Sequence, residues 1–353
     1  MPILPSDRLF KAIWREPLDR TPVWIMRQAG RYLPEYRATR QTAGSFMTLC
    51  QTPELACEVT LQPLKRYALD AAIIFSDILT IPDAMGLQLG FVEGEGPFFA
   101  RPIRTKADID ALTVPDLERL QYVYDAIRLA NRELNHKVPL IGFAGSPWTL
   151  AAYMLEGKSV KSFPQIHRML QKEPLLLHQL LHVLAMAVSA HLNAQIDAGV
   201  SVVMIFDTWG GLLSEPFYSE FSLFYIKEVI TLLKRNYTHK KIPIILYSKG
   251  GYASLEAMTE TGCDVIGVDF EISLQEARQR VGKMIVLQGN MNPAYLLASK
   301  DKIKEEVLKI LDSFGYGGGH IFNLGHGITP DVPPEHVTYL IDAVHELSQA
   351  YHR

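Results

Sequence analysis

PVWIMRQAGRYLPEYR, residues 22–37, is a short apolar run that stops abruptly at an arginine. Val23 to Met26 has the length and flanks of a buried strand. Arg27 and Arg31 then follow around Gln28, Ala29 and Gly30, which sets two guanidinium groups just beyond a strand end. Each offers a planar fork of donors that matches a carboxylate, and neither can shed its charge to ease burial. The same loop also reads as ordinary surface, with both arginines in solvent or paired to Glu35, where an isolated ion pair contributes only about 0–1 kcal/mol.

The pattern of an apolar run ending in polar residues recurs outward from this stretch. It returns at Ala71–Phe75, Pro139–Phe143, Val200–Phe206, Pro243–Tyr247, Val265–Val268, Ile285–Leu287 and Ile321–Leu324. Helical spans separate nearly all of these, among them Pro53 to Tyr67, Asp116 to Asn135, and Pro174 to Ala198 with Gly199 as its stop. Eight strands that are apolar throughout and alternate with helices fit a parallel sheet covered on its outside, and eight is the number that closes a barrel. The expected fold is therefore α/β, a single (β/α)8 TIM-type barrel domain over residues 1–353 with an N-terminal helical extension. A doubly wound open sheet is the competing architecture. In a barrel, the site is built from the loops after the strands.

Composition narrows the partners. The chain has 353 residues, 48% of them hydrophobic, and 35 Lys and Arg against 38 Asp and Glu give a net charge of −3 with no block of like charge. That balance argues against nucleic acid and gives no reason for an anionic membrane surface. Cys50, Cys57 and Cys263 are scattered and odd in number, as for reduced thiols in the cytoplasm. No run of 18 apolar residues suggests a membrane span, and no signal peptide is evident.

Several strand-end residues have two readings. Asp77 is either a chemical carboxylate or a helix cap. Lys249 stands where a Schiff-base lysine sits in some barrels, though lysine is common in such loops. His326 lies between Gly325 and Gly327, a pattern that fits close approach to a ligand or simply a tight turn. His178 and His182 have metal-ligand spacing on a helix, but Gln179 replaces the glutamate of a zincin motif, so core or surface histidines are favoured.

The arginine stretch, FSDIL at Phe75–Leu79, GFAGSPWTL at Gly142–Leu150, LQGN at Leu287–Asn290 and NLGHG at Asn323–Gly327 together resemble the uroporphyrinogen decarboxylase family, end to end and in the family's order. The resemblance implies a (β/α)8 barrel, usually a homodimer, that needs no metal or organic cofactor. It implies a cyclic tetrapyrrole substrate with four acetates and four propionates, each acetate losing carbon dioxide to leave a methyl. Asp77 would then accept hydrogen bonds from pyrrole N–H groups and offset positive charge developing on the ring. Arg27 and Arg31 would hold substrate carboxylates, one of them assisting proton delivery. Tyr153, Thr208 and His326 match substrate-contacting positions, Phe46 matches an aromatic position near the pocket, and Gln28, Ala29 and Gly30 offer backbone donors. Two alternatives stay open: a zinc-dependent corrinoid or thiol methyltransferase of the same superfamily, although no His-X-Cys pair is present, and a non-catalytic tetrapyrrole-binding protein.

Overall fold

In the computed structural model, which describes residues 5–92, 96–160, 162–237 and 240–352, the apolar runs lie side by side in one parallel sheet. Its strands follow the chain: β1 (Ala72–Ile73), β2 (Leu140–Gly145), β3 (Val202–Asp207), β4 (Ile244–Ser248), β5 (Val265–Gly267), β6 (Val286–Met291) and β7 (His320–Leu324). Nearly every strand residue is buried, which is why the runs are apolar rather than alternating.

The sheet is curled and has seven strands among the described residues, where the sequence suggests eight. Val23 to Met26 makes one parallel bridge, Val23 to Phe322, in place of a ladder. Even so it spans the gap between β7 and β1. The Phe322 N–H donates to Pro22 O at 2.8 Å, and the Asp70 N–H donates to Val23 O at 2.9 Å. The ladder is cut short because side chains take its donors. The Val23 N–H goes to the Asp70 carboxylate at 2.9 Å, the Ile25 N–H to Gln28 Oε1 at 3.1 Å, and the Met26 N–H to Asn323 Oδ1 at 2.9 Å.

The interior is a packed core. Trp24, Met26, Ile73, Ile141, Met204, Ile245, Tyr247, Val265, Val286 and Ile321 share one buried cluster, and helix α1 (Pro5–Trp14) closes its N-terminal end with Leu9, Ala12 and Ile13. A residue that sequence places in a loop belongs here too. β6 continues to Met291, so Gln288 and Asn290 lie within it, and Gln288 Oε1 accepts from Trp24 Nε1 at 2.9 Å.

Helices cover the outside. Pro174–Ala198 is long and apolar enough to cross a membrane by length and composition, but it buries Leu177, Leu181, Leu184, Val188 and Leu192 within the core and packs against β2. Gly199, at φ 110°, ends it. Its Gln195 accepts from the Phe143 N–H at 2.9 Å and donates to Phe143 O at 2.8 Å. Gly142 makes this approach possible, since a Cβ there would lie 2.4 Å from Gln195 Oε1. The glycine-rich region after β1 forms an antiparallel hairpin, Leu89–Val92 with Gly96–Phe99.

At the N-terminal end, the buried Asp70 accepts from Val23 and pairs with both Arg8 and Arg20 at 3.3 Å. Asp70→Ala removes the carboxylate that holds the Val23 segment and faces two cations, so the expected loss of stability is about 3–5 kcal/mol. Denaturant unfolding measures it, and a loss below about 1 kcal/mol would mean that closure does not depend on this group.

Candidate active site

The strand ends bring together most of the residues singled out by sequence. Arg27 follows the Val23 segment in a left-handed conformation, φ 65°, which costs a non-glycine residue roughly 1–2 kcal/mol. Neighbours hold it there. The Gln28 N–H closes a turn onto Ile25 O at 2.9 Å, and Gly30 admits the Arg27 carbonyl, which a Cβ would approach to 2.8 Å. From the far side of the chain Gly327 packs on the arginine stem, where a Cβ would lie 2.4 Å from Arg27 Cδ. The second glycine of NLGHG is thus explained by Arg27. Gly325 is explained by backbone, since a Cβ there would lie 2.6 Å from the Phe270 nitrogen.

Glu35, the surface partner that sequence offers to the arginines, is engaged elsewhere. Arg66 grips it with two hydrogen bonds, of 2.8 and 2.9 Å. Among the described residues neither Arg27 nor Arg31 forms an ion pair, and both are exposed. Asp77, half-buried two residues past Phe75, accepts the Leu79 N–H at 2.8 Å. The capping interaction and a chemical role are therefore compatible, because the second carboxylate oxygen remains. Burial raises the Asp77 pKa, while the Leu79 N–H and the charge of Arg27 oppose that rise.

Two aromatic hydroxyls and a histidine surround this pair. Burial and the charge of Asp77 raise the Tyr153 pKa, and its ring meets Trp209 edge-on at 5.8 Å. His326 is lowered to about 4 by burial, then by Arg27 and Lys249, so its imidazole is neutral at neutral pH. Tyr247 donates its hydroxyl hydrogen to Gly325 O at 2.9 Å and lies 3.2 Å from His326 Nδ1. With that hydrogen committed, the hydroxyl oxygen accepts from Nδ1–H, a tautomer assignment that leaves Nε2 an acceptor. Phe46 lies 5.9 Å from the Phe75 ring and 4.5 Å from Phe91 on the hairpin. Thr208 is half-exposed between Asp207 and Trp209 at the end of β3.

Gln28 is a correction. Its side chain turns inward, donating to Ala71 O at 3.2 Å and accepting from Ile25, and its N–H is spent on the turn, so it braces the loop instead of facing a ligand. Among the described residues Ala29 and Gly30 keep N–H groups without an intramolecular acceptor. Lys249 joins the group unforeseen in this role, its ammonium 5.9 Å over Trp209 and acting on His326. Tyr247 was legible only as a strand residue. His178 and His182 turn to separate partners, Tyr225 with Glu220 and Glu228. Among the described residues no three His, Cys, Asp or Glu side chains converge as a donor set for a metal ion.

Comparisons with known proteins identify the family. The profile of the family described as uroporphyrinogen decarboxylase matches residues 4–347. The uroporphyrinogen decarboxylase of Thioalkalivibrio sulfidiphilus is 59% identical over 344 residues, covering 97% of this chain and 98% of that protein. That of Escherichia coli O81 is 57% identical over 351 residues, covering 99% of each. Among solved structures, a methyltransferase from Methanosarcina mazei superposes with a TM-score of 0.82 over 98% of this chain and 99% of its own at 23% identity, a likeness of fold.

The depressed His326 midpoint carries a signed expectation. Between about pH 6.5 and 4 the unfolded chain binds a proton at this histidine that the folded chain does not, so its contribution to stability is lost as pH falls through that window. Nuclear magnetic resonance of ring-labelled histidine should place the midpoint near 4, and Arg27→Ala should move it upward by removing a charge that opposes protonation. A midpoint unchanged by that substitution would separate the two side chains.

Proposed function

The chain belongs to the uroporphyrinogen decarboxylase family, and on that premise we propose that it removes carbon dioxide from the four acetate side chains of uroporphyrinogen III, giving coproporphyrinogen III. The observation that supports the reading at this site is the coexistence of two arginines that have no ion-pair partner among the described residues and a half-buried aspartate at one mouth of strand ends.

The chemistry asks for those groups. Direct loss of carbon dioxide leaves a methylene carbanion, which is too costly, so the adjacent pyrrole is first protonated on carbon and becomes an electron sink. The C–C bond to the carboxylate then breaks, its electron pair moves into the cationic ring to form an exocyclic methylene, and carbon dioxide leaves. A second proton, delivered to that methylene carbon, makes the methyl, and loss of the ring proton restores the pyrrole. Each cycle consumes one proton and one carboxylate. Asp77 serves this sequence as a fixed acceptor for pyrrole N–H groups, and those donors favour its ionised form against the burial that opposes it. Arg27 and Arg31 bind carboxylates in forked geometry, and one of them assists proton delivery to the ring. Tyr153, Thr208 and neutral His326 contact the substrate, Phe46 lines the aromatic side, and the Ala29 and Gly30 N–H groups add donors. We further propose that the protein acts as one domain over residues 1–353, as a homodimer in the cytoplasm, with no metal or organic cofactor.

Anaerobic incubation of chelator-treated protein with uroporphyrinogen, followed by oxidation and chromatographic counting of carboxylates, tests the reading. Stepwise descent from eight to four is expected, and binding without loss of carboxylate would favour a carrier instead. Asp77→Asn should lower kcat by at least about 100-fold with the fold intact, in line with removal of a preorganised electrostatic group. Arg27→Ala should raise KM by about tenfold or more through loss of a charge-assisted pair. Wild-type constants in either variant would remove that residue from the mechanism.

A further inference from the structure

At the exit of β3 lies a carboxylate that this mechanism leaves unused. Asp207, the last residue of β3, is fully buried. Among the described residues no cation pairs with it; hydroxyl groups surround it. Ser146 Oγ donates to Oδ1 at 2.6 Å and Thr149 Oγ1 to the same oxygen at 3.2 Å, while Ser222 Oγ and Ser248 Oγ donate to Oδ2 at 3.0 and 3.1 Å. These donors come from the end of β2, the helix after it, the segment before helix Phe224–Leu232, and the end of β4. One carboxylate therefore ties together three separate parts of the chain around the β3 exit, since Ser146 caps the helix that carries Thr149.

The loop leaving Asp207 is fastened by the same assembly. The Trp209 N–H donates to Thr149 Oγ1 at 3.2 Å, Trp148 Nε1 donates to Trp209 O at 2.9 Å, and the Gly211 N–H donates to Lys249 O at 2.9 Å. The double glycine after Trp209 follows from this packing. A Cβ at Gly210 would lie 2.2 Å from both Asp207 Oδ2 and Ser248 Oγ, and one at Gly211 would lie 2.8 Å from Lys249 O. Thr208 and Trp209 sit on this fastened loop, and Trp209 in turn touches Tyr153 and lies under Lys249.

We propose that Asp207 is a positioning residue, which by gathering these hydroxyls fixes the loop that presents Thr208 and Trp209 to the substrate. This rests on the reading that Thr208 contacts the tetrapyrrole. A carboxylate suits the task because it only accepts, so each of these four hydroxyls points inward as a donor and the three parts of the chain share one geometry. An amide at the same place breaks that uniformity while keeping nearly the same volume.

The test is a double-mutant cycle on the full chain, reading the Kd for uroporphyrinogen together with kcat. Asp207→Asn and Thr208→Ala should each weaken binding by about tenfold, the scale of one well-placed hydrogen bond, and the double variant should bind no more weakly than Asp207→Asn alone. If Asp207→Asn does not fold, Ser248→Ala takes its place with the same expectation of no multiplication with Thr208→Ala. Multiplying effects, or a Thr208→Ala variant that binds like wild type, would overturn the proposal. A wild-type protein that binds uroporphyrinogen without turnover, yet shows the non-multiplying cycle in Kd, would overturn the decarboxylase reading and support the positioning role.

Discussion

An imbalance of charge at the strand ends organises this protein. Among the described residues two guanidinium groups are kept without carboxylate partners, near one aspartate that burial discourages from ionising. Left alone, such groups would pair with an available acid, and Glu35 is the one that follows them in sequence. Arg66 occupies it in a two-pronged ion pair, so the arginines stay available. Holding Arg27 in position takes a left-handed backbone, an internal brace from Gln28, and glycines at 30 and 327 that let other atoms reach it. That geometry is local strain of the kind that collects at functional sites because the surrounding structure over-determines it.

The same segment serves the fold and the site at once. Val23, Ile25 and Met26 give their N–H groups to side chains instead of a strand ladder, so among the described residues the sheet has seven strands and a seam where an eighth would lie. At one end of the seam Asp70 anchors Val23, and at the other the chain turns out into the arginine loop. Chemistry that passes through a cationic ring suits this layout. In the proposed reading anions of the substrate would meet the arginines and the ring would meet Asp77, while burial keeps the neighbouring histidine and tyrosines neutral so that they contribute dipoles without adding charge.

Much of this was legible in the residues. Continuous apolar runs with polar ends indicate a parallel sheet with its site at the strand exits, and Gly199 marks the end of the long helix as expected. The motifs around Arg27, Asp77 and His326 point to loops that the fold brings together, because each directly follows a strand or strand-like segment. What was not legible depends on side-chain direction. Gln28 reads as a loop donor until its amide is seen reaching Ala71 O, and β6 reads as three residues because Gln288 and Asn290 look like loop residues while serving as buried partners of Trp24 and of the Asp269 and Ile272 carbonyls. The glycines flanking His326 fit either a ligand or a tight turn by sequence, and in the structure they answer to Arg27 and to the Phe270 backbone. Asp207 shows the same limit: only the fold reveals that Ser146 and Thr149, Ser222 and Ser248, from three distant parts of the sequence, meet on one carboxylate.

The central claim is that Asp77 faces the centre of the tetrapyrrole while Arg27 and Arg31 take its carboxylates, and the most direct test is an anaerobic crystal structure of the protein with coproporphyrinogen bound. The account expects pyrrole nitrogens within about 2.7–3.2 Å of an Asp77 carboxylate oxygen and a side-chain carboxylate forked against at least one of the two arginines. A ring seated away from Asp77, or carboxylates held by other residues with Arg27 and Arg31 left in solvent, would contradict it.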